Sequence, residues 1–114
     1  MDDGTVDLDA LAGELLADAA KQGASRAAHT LAHPVDGLRQ TVIALIGGQR
    51  LAEHESPGPA SLMVLRGRVR LIVGERTIEL GDRQICPIPN QRHGVEADED
   101  SVLLLSVAVP QRAP

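Results

Sequence analysis

From residue 25 to the C-terminus, turn-forming residues interrupt the apolar positions at close, regular intervals, and this punctuation restricts the fold more than any other feature of the chain. The breaks fall at 34–37, 47–48, 56–59, 67, 74–75, 81–82, 89–91 and 98–100, and all but the last contain glycine or proline. No helical period survives between them, so the segments read as short antiparallel strands. We place about nine, near 27–33, 38–46, 49–54, 61–66, 68–73, 76–80, 83–88, 92–97 and 101–109.

One pairing can be registered from the residues alone. A two-residue loop at Gly74 and Glu75 sets Val73 against Arg76, Leu71 against Ile78 and Val69 against Leu80. The same register opposes Arg70 to Glu79 on the other face, so apolar partners and an opposite-charge pair agree. A three-residue loop would oppose Leu71 to Glu79, which is a poorer match.

Ahead of the strands, residues 6–22 carry Leu8, Leu11, Leu15, Leu16 and Ala19 at helical spacing, with Asp7 and Asp9 in the first turn and Gly23 as the stop. This predicts one amphipathic helix whose leucine stripe lids the strands or joins a partner chain, the lid being the plainer reading. The segments 42–46 (VIALI) and 102–109 (VLLLSVAV) are apolar on both faces, so something must cover their outer side. The helix can cover one patch and a second copy another, which gives the expectation of a homodimer. The resulting division is a helical extension at 1–24 and an all-β domain at 25–114, a sandwich or a closed double-sheet barrel.

Composition removes several functions. The chain's 114 residues suit one domain with one core. It contains no Phe, Trp or Tyr, so it has no aromatic platform for stacking bases, no cage for a cationic ligand and no tyrosine acid. The net charge is −5 and the basic residues form no run, which argues against a nucleic-acid partner. The single cysteine, Cys86, reads as a small core residue beside Pro87, and it has no intrachain cysteine to pair with. The first ten residues lack a basic, then apolar, leader, and no apolar run has membrane-spanning length. A cytoplasmic location is expected, with no membrane partner.

Two histidine segments carry whatever chemistry there is. In the first, Gly48 is followed after five residues by His54, then Ser56, Ala60 and, six residues on, Gly67. In the second, Gly81 is followed after five residues by Pro87, then Pro89 and His93. This spacing resembles the two sequence motifs of the cupins. In that family the first motif has a second histidine where Ser56 stands and a glutamate where Ala60 stands. The second motif has a glycine where Pro89 stands, a histidine one position earlier than His93, and an asparagine where Ala97 stands. The resemblance covers about 38–109 and implies a double-stranded β-helix, the jelly-roll barrel, similar to short bacterial cupins of uncharacterised role.

The resemblance also implies a pocket lined by His54, Ser56, Ala60, Leu62 and His93. Where such barrels bind Fe, Mn, Ni or Zn, three histidines and a carboxylate do so; here His54 and His93 are the remaining metal candidates. Two neutral nitrogens make a weak divalent site without a further donor, and strand parity turns Glu53 and Glu55 away from His54. Two functions stay open. One is a non-catalytic barrel that binds or senses an unknown small molecule. The other is a metal-dependent enzyme of dioxygenase or isomerase type acting on a small polar substrate. Cupin epimerase chemistry, which pairs a histidine base with a tyrosine acid, has no tyrosine to use.

Other candidates have plainer readings. His29 and His33 share a strand face, but two strand steps of about 6.6 Å each hold them too far apart for one ion. Arg66, Arg68 and Arg70 read as a solvated stripe paired with Glu79. Glu96, Asp98, Glu99 and Asp100 read as a charged hairpin tip, since no calcium-loop pattern accompanies them. Pro57, Gly58 and Pro59 read as a stiff pocket rim.

Overall fold

The leucine stripe forms helix α1, Leu8–Ala19, in a computed structural model that describes residues 4–21, 23–32, 35–55 and 58–110, apart from the side chains of residues 53 and 54. Asp7 caps the helix, its Oδ1 accepting the Ala10 N–H at 3.2 Å, which satisfies one of the backbone donors that a helix start leaves open.

Among the described residues nine strands follow: β1 Arg26–Thr30, β2 Leu38–Leu45, β3 Arg50–His54, β4 Ala60–Arg66, β5 Arg68–Val73, β6 Arg76–Gly81, β7 Ile85–Ile88, β8 His93–Ala97 and β9 Ser101–Ala108. They pair antiparallel throughout, in a five-stranded sheet of order β1-β2-β9-β4-β7 and a four-stranded sheet of order β3-β8-β5-β6. The β5–β6 hairpin has the expected register, Val73 opposite Arg76 and Arg70 opposite Glu79.

The inner faces of both sheets close one aliphatic core in which Leu45, Leu62, Val64, Val69, Leu71 and Leu103 are almost entirely buried. Alternation along β2 and β9 sends Ile43, Leu45 and Leu103 inward, while Val42, Ala44 and Val102 face outward. Those outward residues are covered by α1, whose Ala12, Leu15 and Ala19 pack on them. The lid reading of the helix therefore holds, and the two-sided apolar strands get much of their outer cover from within the chain.

The chain crosses from one sheet to the other at Gly67, whose φ of +97° suits glycine. An added Cβ there would lie 2.6 Å from the Asp100 carbonyl oxygen, so the corner is closed to larger residues. Buried Ser101 locks it, accepting the Arg68 N–H at 3.1 Å and donating to the Glu99 carbonyl at 2.7 Å.

The arginine stripe is divided by this corner. Arg66 donates to the Asp9 carbonyl at 3.0 Å and so fastens β4 to the start of α1. Arg68 lies 3.9 Å from Glu79, whereas Arg70 turns away from its register partner Glu79 to Asp98 at 2.9 Å and Glu96 at 3.5 Å. A neighbouring strand on each side gives Arg70 a choice of carboxylates that the hairpin alone does not show.

Candidate functional site

His93 opens β8 and is 2% exposed. It shares the inward face of that strand with Val95 and Ala97, both core residues, and lies opposite Val73 of β5. Its Nδ1 is 3.0 Å from the Gln91 carbonyl oxygen. A carbonyl only accepts, so in the neutral ring Nδ1 carries the hydrogen and Nε2 is the acceptor nitrogen. A short backbone hook two residues upstream thus fixes both the tautomer and the ring.

On the other side of β8, β3 sets His54 directly opposite His93. A register shift makes this possible. Arg50 pairs with Glu96 and Leu51 with Val95, then one extra residue enters β3 before His54 meets His93. Leu51 packs on the core, so simple alternation would have brought position 53 into phase with it. The inserted residue shifts the register so that position 54, and not 53, is the partner of His93, an irregularity of the β-bulge kind. No glycine on β3 announces it, so the sequence pattern offered no signal.

The five-stranded sheet carries the remaining motif position on β4, which pairs with β7. Ala60 starts β4, opposite Ile88 of β7 and Val107 of β9. It lines a cavity of about 370 Å³ at the barrel end, together with Gly58, Pro59, Pro87, Ile88 and Asn90. Leu62, 2% exposed and opposite Cys86, lies deeper as part of the packed core. Gly58 holds the rim close, because an added Cβ would stand 2.5 Å from the Ala108 carbonyl oxygen. Ile88 and Asn90 were not singled out from the sequence, although their place beside Pro87 was a usable clue.

Ser56, Pro57 and His33 lie outside the described residues, so the structure places none of them. His29 is exposed on β1, in the other sheet from His54 and His93. Among the described residues no group of three or more His, Cys, Asp or Glu stands together as a metal site. The acidic hairpin tip is occupied structurally: Glu96 and Asp98 hold Arg70, and Asp100 Oδ1 accepts the Gly47 N–H at 2.9 Å. Burial pushes the Cys86 thiol up from its usual value, the reverse of an activated nucleophile.

The donor set does not fit a tightly held metal. Two imidazole positions in register are the candidates, no group of three or more His, Cys, Asp or Glu stands together among the described residues, and structural or catalytic centres take at least three protein ligands. No step is derived through a metal here.

Two antiparallel sheets closed face to face around an aliphatic core, with paired histidines at one end, define a jelly-roll barrel. A conserved Streptococcus pyogenes protein of unknown function superposes with a TM-score of 0.68 at 30% identity, covering 76% of each chain. A cupin superfamily protein from Desulfitobacterium hafniense gives 0.68 at 16% identity, over 75% of this chain and 78% of that one. Salicylate 1,2-dioxygenase from Pseudoaminobacter salicylatoxidans gives 0.74 at 16% identity, over 87% of this chain but 32% of the enzyme. No family model matches the sequence, and no curated protein matches it significantly. On these superpositions the chain has the fold of the small cupin proteins. Among the described residues no helix is long and apolar enough to cross a membrane.

Proposed function

We propose that this chain is a binding or sensing cupin without catalytic activity, and that its ligand is a small molecule. The observation that carries this reading is that His54 and His93 are register partners on β3 and β8, while among the described residues no group of three or more His, Cys, Asp or Glu stands together. A cytoplasmic setting belongs to the same reading.

The pairing of His54 with His93 favours one second reading. A divalent ion held by these two side chains and a further donor would make the chain a metal-dependent enzyme of dioxygenase or isomerase type. Metal analysis of tag-free protein separates the two. The binding reading expects no stoichiometric Fe, Mn, Ni or Zn and no rise in melting temperature when these ions are added. Stoichiometric metal that His54→Ala and His93→Ala each abolish would overturn it in favour of the enzyme.

A further inference from the structure

We infer that the groove between the edge strands β1 and β3 binds the phosphate group of a small molecule. The inference is independent of what the barrel interior binds.

β1 ends the five-stranded sheet and β3 ends the four-stranded one. Between them lies a cavity of about 380 Å³ whose lining includes Ser25, Arg26, Gln49 and Arg50, with Leu45 and Ala52 supplying carbon. None of the described residues that line it is acidic. Alternation along β1 puts Arg26 on the face of its register partner Leu45, a core residue, whereas Ala27 pairs with Ala44 on the helix side. Arg26 is therefore set toward the seam between the sheets and not toward α1.

Three backbone hydrogen bonds fix the frame. The Ser25 carbonyl accepts the Ile46 N–H at 3.0 Å, the Ile46 carbonyl accepts the Gln49 N–H at 3.0 Å, and the Gln49 carbonyl accepts the Ala97 N–H at 2.9 Å. The start of β1, the β2–β3 turn and the end of β8 are thus tied together, which sets the spacing of Arg26, Gln49 and Arg50 in advance. Ser25 has a φ of +65°, uncommon for a residue other than glycine. Such conformations persist where the surroundings over-determine them, and they gather at ligand clamps.

The donors of this groove are uncommitted. Among the described residues Arg26 has no carboxylate partner, and Arg50 stands 4.0 Å from Glu96, too far for a hydrogen bond. Arg66 and Arg70 are the contrast, held at 3.0 Å by the Asp9 carbonyl and at 2.9 Å by Asp98. Two guanidinium groups, an amide and a hydroxyl offer hydrogens from both sides of the groove. A planar carboxylate is satisfied by one guanidinium fork, whereas the tetrahedral oxygens of a phosphate take donors from two sides. Its charge of about −1.5 to −2 at pH 7 also matches two arginines with no carboxylate in the lining. The volume lies at the small end of ligand pockets, which run from roughly 300 to 1,000 Å³, and leaves space for a short organic tail over Leu45 and Ala52. The net charge of −5 opposes anions at long range, so binding depends on these local donors.

Calorimetric titration of the full chain with inorganic phosphate, from about 0.1 to about 20 mM at low salt, tests this. The expected result is saturable binding. Arg26 is exposed and the Arg50 side chain is 75% exposed, so Arg26→Gln and Arg50→Gln should each weaken binding about tenfold with an unchanged circular dichroism spectrum. Arg26→Lys, which keeps the charge and loses the fork, should recover only part of it. Arg76→Gln, on exposed β6 outside the groove, should leave it unaltered. No saturable binding, or binding indifferent to both Arg26→Gln and Arg50→Gln, overturns the proposal. Succinate binding as tightly as phosphate overturns the choice of a phosphate group.

Discussion

The two walls of the barrel end are built from the same kind of strand and carry opposite chemistry. On the four-stranded sheet, β3 and β8 bring His54 and His93 into register, and a carbonyl at 3.0 Å orients the His93 ring. On the five-stranded sheet, β4 and β7 present Ala60, Leu62, Cys86 and Ile88, a wall continuous with the hydrophobic core. Position 60 matches the carboxylate of the cupin first motif, and alanine there supplies no donor. In the proposed binding role the histidine pair orients a ligand and no metal is required.

Truncating the aliphatic wall should have the largest effect, and the contrast between walls can be broken there first. Leu62→Ala removes a side chain that is 2% exposed, and should cost about 2–5 kcal/mol in urea or thermal unfolding. His93→Ala is the counterpart on the other wall. If Leu62→Ala costs under about 1 kcal/mol, the wall is a loosely packed ligand surface and not core.

A smaller and sharper change is Ala60→Glu, which restores the missing carboxylate to the far wall. Because Ala60 is half-buried at the rim, the substitution should cost about 1–3 kcal/mol of stability. It should also raise zinc affinity by roughly tenfold or more, read by calorimetry and by a zinc-dependent rise in melting temperature. An unchanged zinc affinity would mean that the walls do not converge on one point.

The strand pattern was readable because it rests on local punctuation. The hairpin at Gly74 and Glu75 fixed its own register, and glycine or proline marked most of the other breaks. The role of α1 was readable for a related reason: strands apolar on both faces demand a cover, and only one helix was available to give it. Motif spacing predicts that His54 and His93 lie on neighbouring strands, as the β3–β8 register has them, but it carries no sign of the register shift between them. An inserted residue on β3 leaves no mark in an Arg-Leu-Ala-Glu-His run, because a bulge is decided by the partner strand. The same is true of Arg70, whose choice of Asp98 and Glu96 over Glu79 depends on β8 lying beside β5. Pairings between segments distant in sequence are set by topology, and periodicity carries no record of them.

Cys86 gives the smallest expected effect and tests whether the β4–β7 wall is apolar where it matters. The thiol is half-buried opposite Leu62, and desolvation penalises its thiolate, raising its pKa above the ordinary 9.0. Below that value the group is protonated in both folded and unfolded chains and contributes no pH dependence. Once the pH passes 9.0 the unfolded chain releases its proton first, so stability should fall as pH rises further, and Cys86→Ala should remove that increment. Alkylation by iodoacetamide at about pH 7.5 should likewise be slower in the native protein than in the chain unfolded by urea. Faster native labelling would require a cation or a proton acceptor near Sγ. That would give the aliphatic wall a reactive group, and the one-sided picture of the site would fail at the residue packed against Leu62.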